Sequence, residues 1–310
     1  MPPMGDVYND QQIAEVMTYI GMNFNNWKKP MTKEQVAAVR KKVASQKTMF
    51  TPRELNELQM KRGLFAPEKS KQDVLAPKKI GAEPARVLML GGNKHHNYKL
   101  CYGELDRKLL EEDGLATVTY TEDVAEATKA LKSTDIFMAC GNVPYTAEFK
   151  QAFEDFLDGG GRIMLLHAGT WIRHGWPQLN TIAGGVPKGH EKGGVTFDVK
   201  VNKADHPLMK GLPASFEIVD ELYRMTPNKD ASKWSVLTTS HSRTTGEAYP
   251  SIFLAQQKKG VILCCTLGHD QRSRVPGYNT FMRNAVPWLM KATAADVKAD
   301  DHKTLDRIGK

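Results

Sequence analysis

Long apolar runs are missing from this 310-residue chain. No stretch approaches the roughly 20 consecutive apolar residues that a membrane-spanning helix needs, so helical insertion into a bilayer is not expected. The opening Met-Pro-Pro-Met-Gly-Asp has neither the basic flank nor the apolar core of a secretory signal. As written this gives a cytoplasmic protein, and a periplasmic or exported one if the true start lies upstream. Cysteine is scarce as well. Cys101, Cys140, Cys264 and Cys265 show no C-x-x-C spacing and read as buried small hydrophobes. C-x-x-C-H is absent, so covalent haem is not expected in the chain as given. No two histidines have H-x-x-x-H or H-E-x-x-H spacing, and a helix-borne zinc motif is therefore lacking. The net charge of +8 suggests a polyanion, but its lysines cluster at Lys28, Lys29, Lys41, Lys42, Lys69, Lys71, Lys78 and Lys79 without interleaved aromatics to stack bases. Nucleic acid is not an expected partner.

What is present centres on Arg162-Ile-Met-Leu-Leu-His-Ala-Gly-Thr170 and the following Trp171-Ile-Arg-His-Gly-Trp-Pro177. Gly159-Gly-Gly161 ends a helix, five mostly apolar residues then read as a strand buried on both faces, and His167 falls where that strand must turn. In open α/β sheets the carboxyl edge of the strands is where ligands bind. Small Ala168 and Gly169 permit a tight, strained turn of the nucleophile-elbow kind, but this elbow holds a histidine, with no Ser or Cys. By itself His167 reads first as a hydrogen-bonded turn residue.

In chain order, Ile13, Val16, Met17 and Ile20 mark a helix over 10–22, capped at Asn9 or Asp10. Thr32-Lys-Glu-Gln35 opens a second helix with a capping-box pattern, and Thr51-Pro-Arg-Glu54 opens a short third. A lysine- and proline-rich linker follows. Strands at 86–90, 117–120, 135–140 and 162–167 alternate with helices at 99–113, 123–131 and 146–158, which predicts a doubly wound parallel sheet. The alternating stretches Val195–Val201, Phe216–Tyr223 and Trp234–Thr239 read as partly exposed strands capping the crevice. Gly260–Thr266 returns to the buried type, and a helix over 279–291 closes the domain. The expected organisation is a helical segment over 1–58, a linker over 59–84, an α/β domain over 85–292 and a polar tail over 293–310.

Met1-Pro-Pro-Met4, Gln12–Ile20 and Met31–Arg40 resemble the carboxyl-terminal half of a class I c-type cytochrome. That resemblance implies Met1 as the axial haem ligand in a longer chain, with Met4 a weaker candidate. The missing C-x-x-C-H departs from the family's pattern.

In the main domain, His95 and His96 follow the first strand's Gly-Gly turn, while His167 and His269 sit at the ends of two others. His190 comes from the Gly-Gly-Val-Pro-Lys-Gly-His loop, and Asp220 and Glu221 from the expected cap. Ends of parallel strands share one edge, so these groups suggest one polar site. Gly91-Gly-x-x-His-His96, Leu166-His-Ala-Gly-Thr170 with Trp176-Pro177, Lys188-Gly-His190, Asp205-His-Pro-x-x-Lys-Gly-Leu-Pro213, Asp220-Glu-x-Tyr223 and Leu267-Gly-His269 resemble, in order, the ThuA-like family, named for trehalose utilisation. The resemblance runs from about Arg86 to Lys291. It implies a flavodoxin-like sheet similar to that of class I glutamine amidotransferases, with His167 where those enzymes carry their nucleophilic cysteine. It also implies sugar metabolism, particularly of glycosides oxidised to keto-sugars.

Neutral imidazoles with a carboxylate can bind a divalent metal, shuttle protons beside a carbonyl, or hydrogen-bond sugar hydroxyls. His167, His269, Glu221 and His190 are the expected catalytic residues. His95, His96, Trp171, Trp176, Tyr223, Asp270 and Arg274 are the expected substrate contacts, and His95, His167, His269 and Glu221 the candidates for a metal. The expected partner is a small sugar or oxidised glycoside, with homo-oligomerisation left open. An enzyme acting on a keto-sugar is favoured over a carbohydrate-binding accessory module of a redox system, because only the enzyme needs the imidazoles to converge. His206, in Asp-His-Pro, is expected to fix a turn.

Overall fold

A computed structural model describes residues 8–24, 29–43, 83–92, 96–171, 176, 178–183, 185–191, 193–227, 233–257 and 259–300. The chain divides into two compact units, Met1–Ser70 and Lys71–Lys310. In the first, α1 (Asp10–Phe24) and α2 (Lys33–Val43) pair across Ala14 and Val36, both buried. Each begins as its sequence predicts: Asn9 and Gln12 exchange backbone-to-side-chain hydrogen bonds, and so do Thr32 and Gln35. Met1, Met4, the third helix and the linker up to residue 82 lie outside the described residues.

The second unit is built on a nine-stranded sheet. Its strands are β1 (Ala85–Leu90), β2 (Ala116–Thr121), β3 (Ile136–Ala139), β4 (Arg162–Leu166), β6 (Val195–Val201), β7 (Ser215–Asp220), β9 (Lys233–His241), β10 (Ala248–Gln257) and β11 (Gly260–Cys265), while β5 (Gly185–His190) and β8 (Tyr223–Pro227) form a separate ribbon. The order across the sheet is β2-β1-β3-β4-β11-β10-β9-β6-β7. The first five are parallel, in the flavodoxin-like order, and the rest run antiparallel to their neighbours. The stretches expected to cap the crevice are thus strands of the main sheet, and the sheet is mixed. The expected loop before His190 is itself β5.

Both faces of the inner parallel strands are covered, which is why β1, β3, β4 and β11 read as mostly unbroken apolar runs, while edge strand β2 alternates. Met164 and Leu166 of β4 face one core with Tyr278, Phe281 and Leu289 of α7 (Pro276–Leu289), and Ile163 and Leu165 face the other. There they meet Phe149, Phe153 and Leu157 of α5 (Ala147–Asp158), each contributing about 1.5–3 kcal/mol by burial at helical spacing. The helix expected over 99–113 opens with π-helical turns, Lys99–Asp106, before α3 (Arg107–Glu112). The remaining helices are α4 (Val124–Ala130) and α6 (Gln178–Ala183). All four cysteines are free and buried, as expected, and burial pushes the Cys101 thiol up to about 11. No helix among the described residues is long and apolar enough to cross a membrane.

The turn after β4 is under strain. His167 has φ +42°, the only non-glycine in the left-handed region among the described residues. The chain then passes so close to β3 that a Cβ on Gly169 would stand 1.9 Å from the Ala139 carbonyl oxygen. Thr170 Oγ1 donates to the His167 carbonyl at 2.7 Å and closes the turn. Gly169→Ala should therefore destabilise by about 3 kcal/mol or more, since backbone must move. Gly114→Ala, at φ +65° with nothing within 4 Å, should cost only the left-handed strain of about 1–2 kcal/mol. Urea unfolding of both variants checks this, and equal losses would show that close approach does not dictate the glycine.

Candidate active site

Strand ends and one corner deliver the polar groups. His96 follows β1, His167 follows β4, His269 follows β11, and Glu221 stands between β7 and β8. His167 Nδ1 lies 2.8 Å from the Thr266 carbonyl oxygen. A carbonyl only accepts, so Nδ1 carries the proton, and in the neutral ring Nε2 is a bare lone pair. That nitrogen is 3.1 Å from the Tyr223 hydroxyl, 3.3 Å from His269 Nδ1 and 3.4 Å from Glu221 Oε2. Glu221 Oε2 is in turn 3.2 Å from His269 Nδ1. The His96 ring stands edge-on to both histidines, with centroids 5.1 Å from His167 and 4.6 Å from His269. His96, His167, His269 and Glu221 each offer one ligand atom, all within 4.8 Å of one another.

Asp220, fully buried, holds this arrangement together. Its carboxylate accepts from the backbone N–H groups of Gly268 (2.7 Å), Glu221 (2.7 Å) and His269 (3.0 Å), tying the end of β7 to the loop after β11. Beneath, the Gly268 carbonyl accepts from the Tyr102 hydroxyl at 2.8 Å and from Arg274 at 2.9 Å.

Burial alone would raise the Glu221 carboxyl, but hydrogen bonds and charge from His167 and His269 outweigh it and hold the group well below the usual carboxylate range. For His269 burial acts downward, and the Glu221 hydrogen bond with the charges of Glu221, Asp220 and Asp270 outweighs it, so its pKa is raised. Both directions describe one ion pair. Burial, with the charge of Glu221 behind it, pushes the Tyr223 hydroxyl far up and keeps it a donor. Tyr98, beside His96 with ring centroids 5.2 Å apart, is 2% exposed, and its hydroxyl has no hydrogen-bond partner among the described residues.

A sequence model of the family ThuA, trehalose utilisation, matches residues 86–289, the range that carries all of these groups. The chain belongs to the ThuA family. Among solved structures it is similar to a putative ThuA-like protein of Bacteroides uniformis, with a TM-score of 0.58 at 19% identity over 69% of this chain and 94% of that one. A putative ThuA-like protein of Parabacteroides merdae gives a TM-score of 0.58 at 18% identity over 73% and 97%. A β-galactosidase from Bacillus circulans sp. alkalophilus gives 0.50 at 12% identity over 70% of this chain and 32% of that one, a likeness of fold alone. No curated protein sequence matches. The ThuA domain has the α/β fold of the class I glutamine amidotransferase type.

Of the residues singled out from sequence, the fold brings His96, His167, His269, Glu221 and Tyr223 together. His190 stands at the rim, its Nδ1 2.8 Å from the Glu191 carbonyl oxygen and 3.7 Å from Glu221, with Trp171 beside it and against Tyr223. His95 lies outside the described residues. Trp176 does not wall the site, because it is buried in the core against Tyr145 and Phe153. Asp270 is spent on capping the turn that follows it and on Arg272. Arg274 is buried and turned away, paired with fully buried Asp106 at 2.9 Å and bonded to the carbonyls of Gly268 and Asp270. His206 accepts from Leu208 N–H and caps its turn. Sequence reasoning missed Tyr98, whose signal was its place beside His95-His96, and Asp106, which had none.

Arg274 is thus a structural residue of the ThuA domain. Arg274→Met should leave Asp106 unpaired and cost about 3–5 kcal/mol in urea unfolding. Unchanged stability with a weakened KM for a sugar would make it a substrate contact instead.

Proposed function

We propose that the ThuA domain is an enzyme that processes a keto-sugar or oxidised glycoside by proton transfer beside the sugar's carbonyl. The observation that carries this reading is the placement of His167, whose Nδ1 lies 2.8 Å from the Thr266 carbonyl oxygen, so that Nε2, the lone-pair nitrogen of the neutral ring, faces the His269–Glu221 pair. A ketone acidifies the C–H next to it, and a lone pair held in a buried pocket is the base such a proton needs. The carbon's proton passes to His167 Nε2 and the electron pair moves onto the carbonyl oxygen. The hydroxyl of Tyr223, kept protonated by burial, is a donor for that oxygen. Return of the proton to the other face epimerises the sugar, and loss of a group β to the ketone with that electron pair eliminates it.

His190, at the rim, is suited to carry protons between this centre and solvent, and Trp171 offers an apolar face to a pyranose ring. The family's link to trehalose utilisation supports a carbohydrate-related role. A pure binding module would need aromatic walls and hydroxyl partners, yet one of the three aromatics expected to supply them, Trp176, is in the core.

A 3-keto-glucoside and its parent glucoside, each incubated with the protein in D2O and followed by NMR, test the reading. The keto-glucoside should be converted and should gain deuterium next to the ketone, while the parent stays intact. Glu221→Gln and His167→Asn should each slow this at least about a hundredfold, with little change in the melting temperature for Glu221→Gln. Equal turnover of the parent, or full activity in both variants, would sink the proposal.

A further inference from the structure

We infer that His96, His167, His269 and Glu221 form a binding site for one divalent transition-metal ion. This concerns the same centre and the same distances as the carbohydrate reading, and the His167 Nε2 lone pair serves either the ion or the sugar's proton, so His167 is the base only while no ion is bound. His167 Nε2, His269 Nδ1 and Glu221 Oε2 form a nearly equilateral triangle with sides of 3.2, 3.3 and 3.4 Å. Four ligands at the usual 2.0–2.1 Å around a tetrahedral ion stand about 3.3–3.4 Å apart, so the triangle matches one face of such a site. His96 supplies a fourth ligand atom within 4.8 Å of these.

A cation at the centre is within reach of all three atoms together. The Thr266 carbonyl on His167 Nδ1 is the outer partner that orients an imidazole ligand, and the backbone clamp at Asp220 fixes the two loops that carry His269 and Glu221.

Tyr98 stands edge-on to His96 with ring centroids 5.2 Å apart, buried and with its hydroxyl unpartnered among the described residues. Three imidazoles with one carboxylate suit zinc, cobalt, iron, nickel or manganese, whereas magnesium and calcium prefer oxygen ligands. Bound here, such an ion would take the His167 lone pair out of proton transfer and supply Lewis acidity toward a sugar carbonyl in its place.

The untagged full chain, stripped with chelator, is titrated with Zn2+ and with Mg2+ by calorimetry, and Co2+ binding is followed by its visible absorption. One Zn2+ per chain should bind, Mg2+ should not compete, and Co2+ should give the intense bands of a four- or five-coordinate ion. Outer partners of metal ligands are commonly worth 10–100-fold in affinity, so His96→Ala and Glu221→Gln should each weaken Zn2+ at least about tenfold. Tyr223→Phe, which frees the His167 lone pair from its hydroxyl, should keep or tighten binding. No saturable binding, or binding that both His96→Ala and Glu221→Gln leave unchanged, overturns the site. Stripped protein that binds no ion yet converts the keto-glucoside overturns the metal and leaves the carbohydrate reading standing. Protein that binds Zn2+ through these residues but ignores the keto-glucoside does the reverse.

Discussion

The Asp220 carboxylate is the interaction on which the site depends. Three backbone N–H groups from two separate loops converge on it, and those loops carry Glu221 and His269. A charged acceptor buried with no exposure must be fully satisfied, and each such charge-assisted bond is worth roughly 1.5–3 kcal/mol. The clamp makes the far antiparallel strand of the sheet part of a centre otherwise assembled from parallel strand ends. It is supported from below, because the Gly268 carbonyl is held by Tyr102 and Arg274, and Arg274 by Asp106 and, through it, Tyr278. The polar chain thus runs from the π-helical turns to the site without a break.

His167 is fixed by a different balance. Its left-handed backbone costs about 1–3 kcal/mol, and such strain persists only where the surroundings over-determine it. Here the close passage of Gly169 over Ala139 determines the path of the turn, and the Thr266 carbonyl determines the ring. Backbone and side chain are therefore set by two different neighbouring strands, β3 and β11. The result is a lone pair presented in one orientation, at the point where a flavodoxin-like sheet gathers its ligands.

How much of this was legible in the sequence follows the physics of burial. Strands covered on both faces announce themselves as apolar runs, so β1, β3, β4 and β11 were found within a residue or two. The antiparallel half alternates, which reads equally well as a cap, and only the ladder of β6, β7 and β9 decides otherwise. β10 carries Pro250, which argues against a central strand, and the register shift beside that proline is what admits it. At the site, the histidines were legible because strand ends share an edge. Trp176 and Arg274 misled because an aromatic or a guanidinium near a site motif looks the same in sequence whether it faces the crevice or the core.

The histidine in the elbow redirects the chemistry of the whole edge. In class I glutamine amidotransferases, which the fold resembles, the corresponding turn presents a nucleophilic cysteine. The four thiols of this chain are instead buried, with burial pushing Cys140 and Cys264 far above the ordinary thiol range, so none is a thiolate at neutral pH. An imidazole at the elbow offers a nitrogen lone pair and no thiolate, so no thioester intermediate forms there. Its neighbours fit that change, being two more imidazoles and a carboxylate rather than a cysteine's usual histidine partner alone. The strained turn at His167 presents one atom to the sheet's carboxyl edge, and that atom is an imidazole nitrogen where a cysteine-based site would present sulfur.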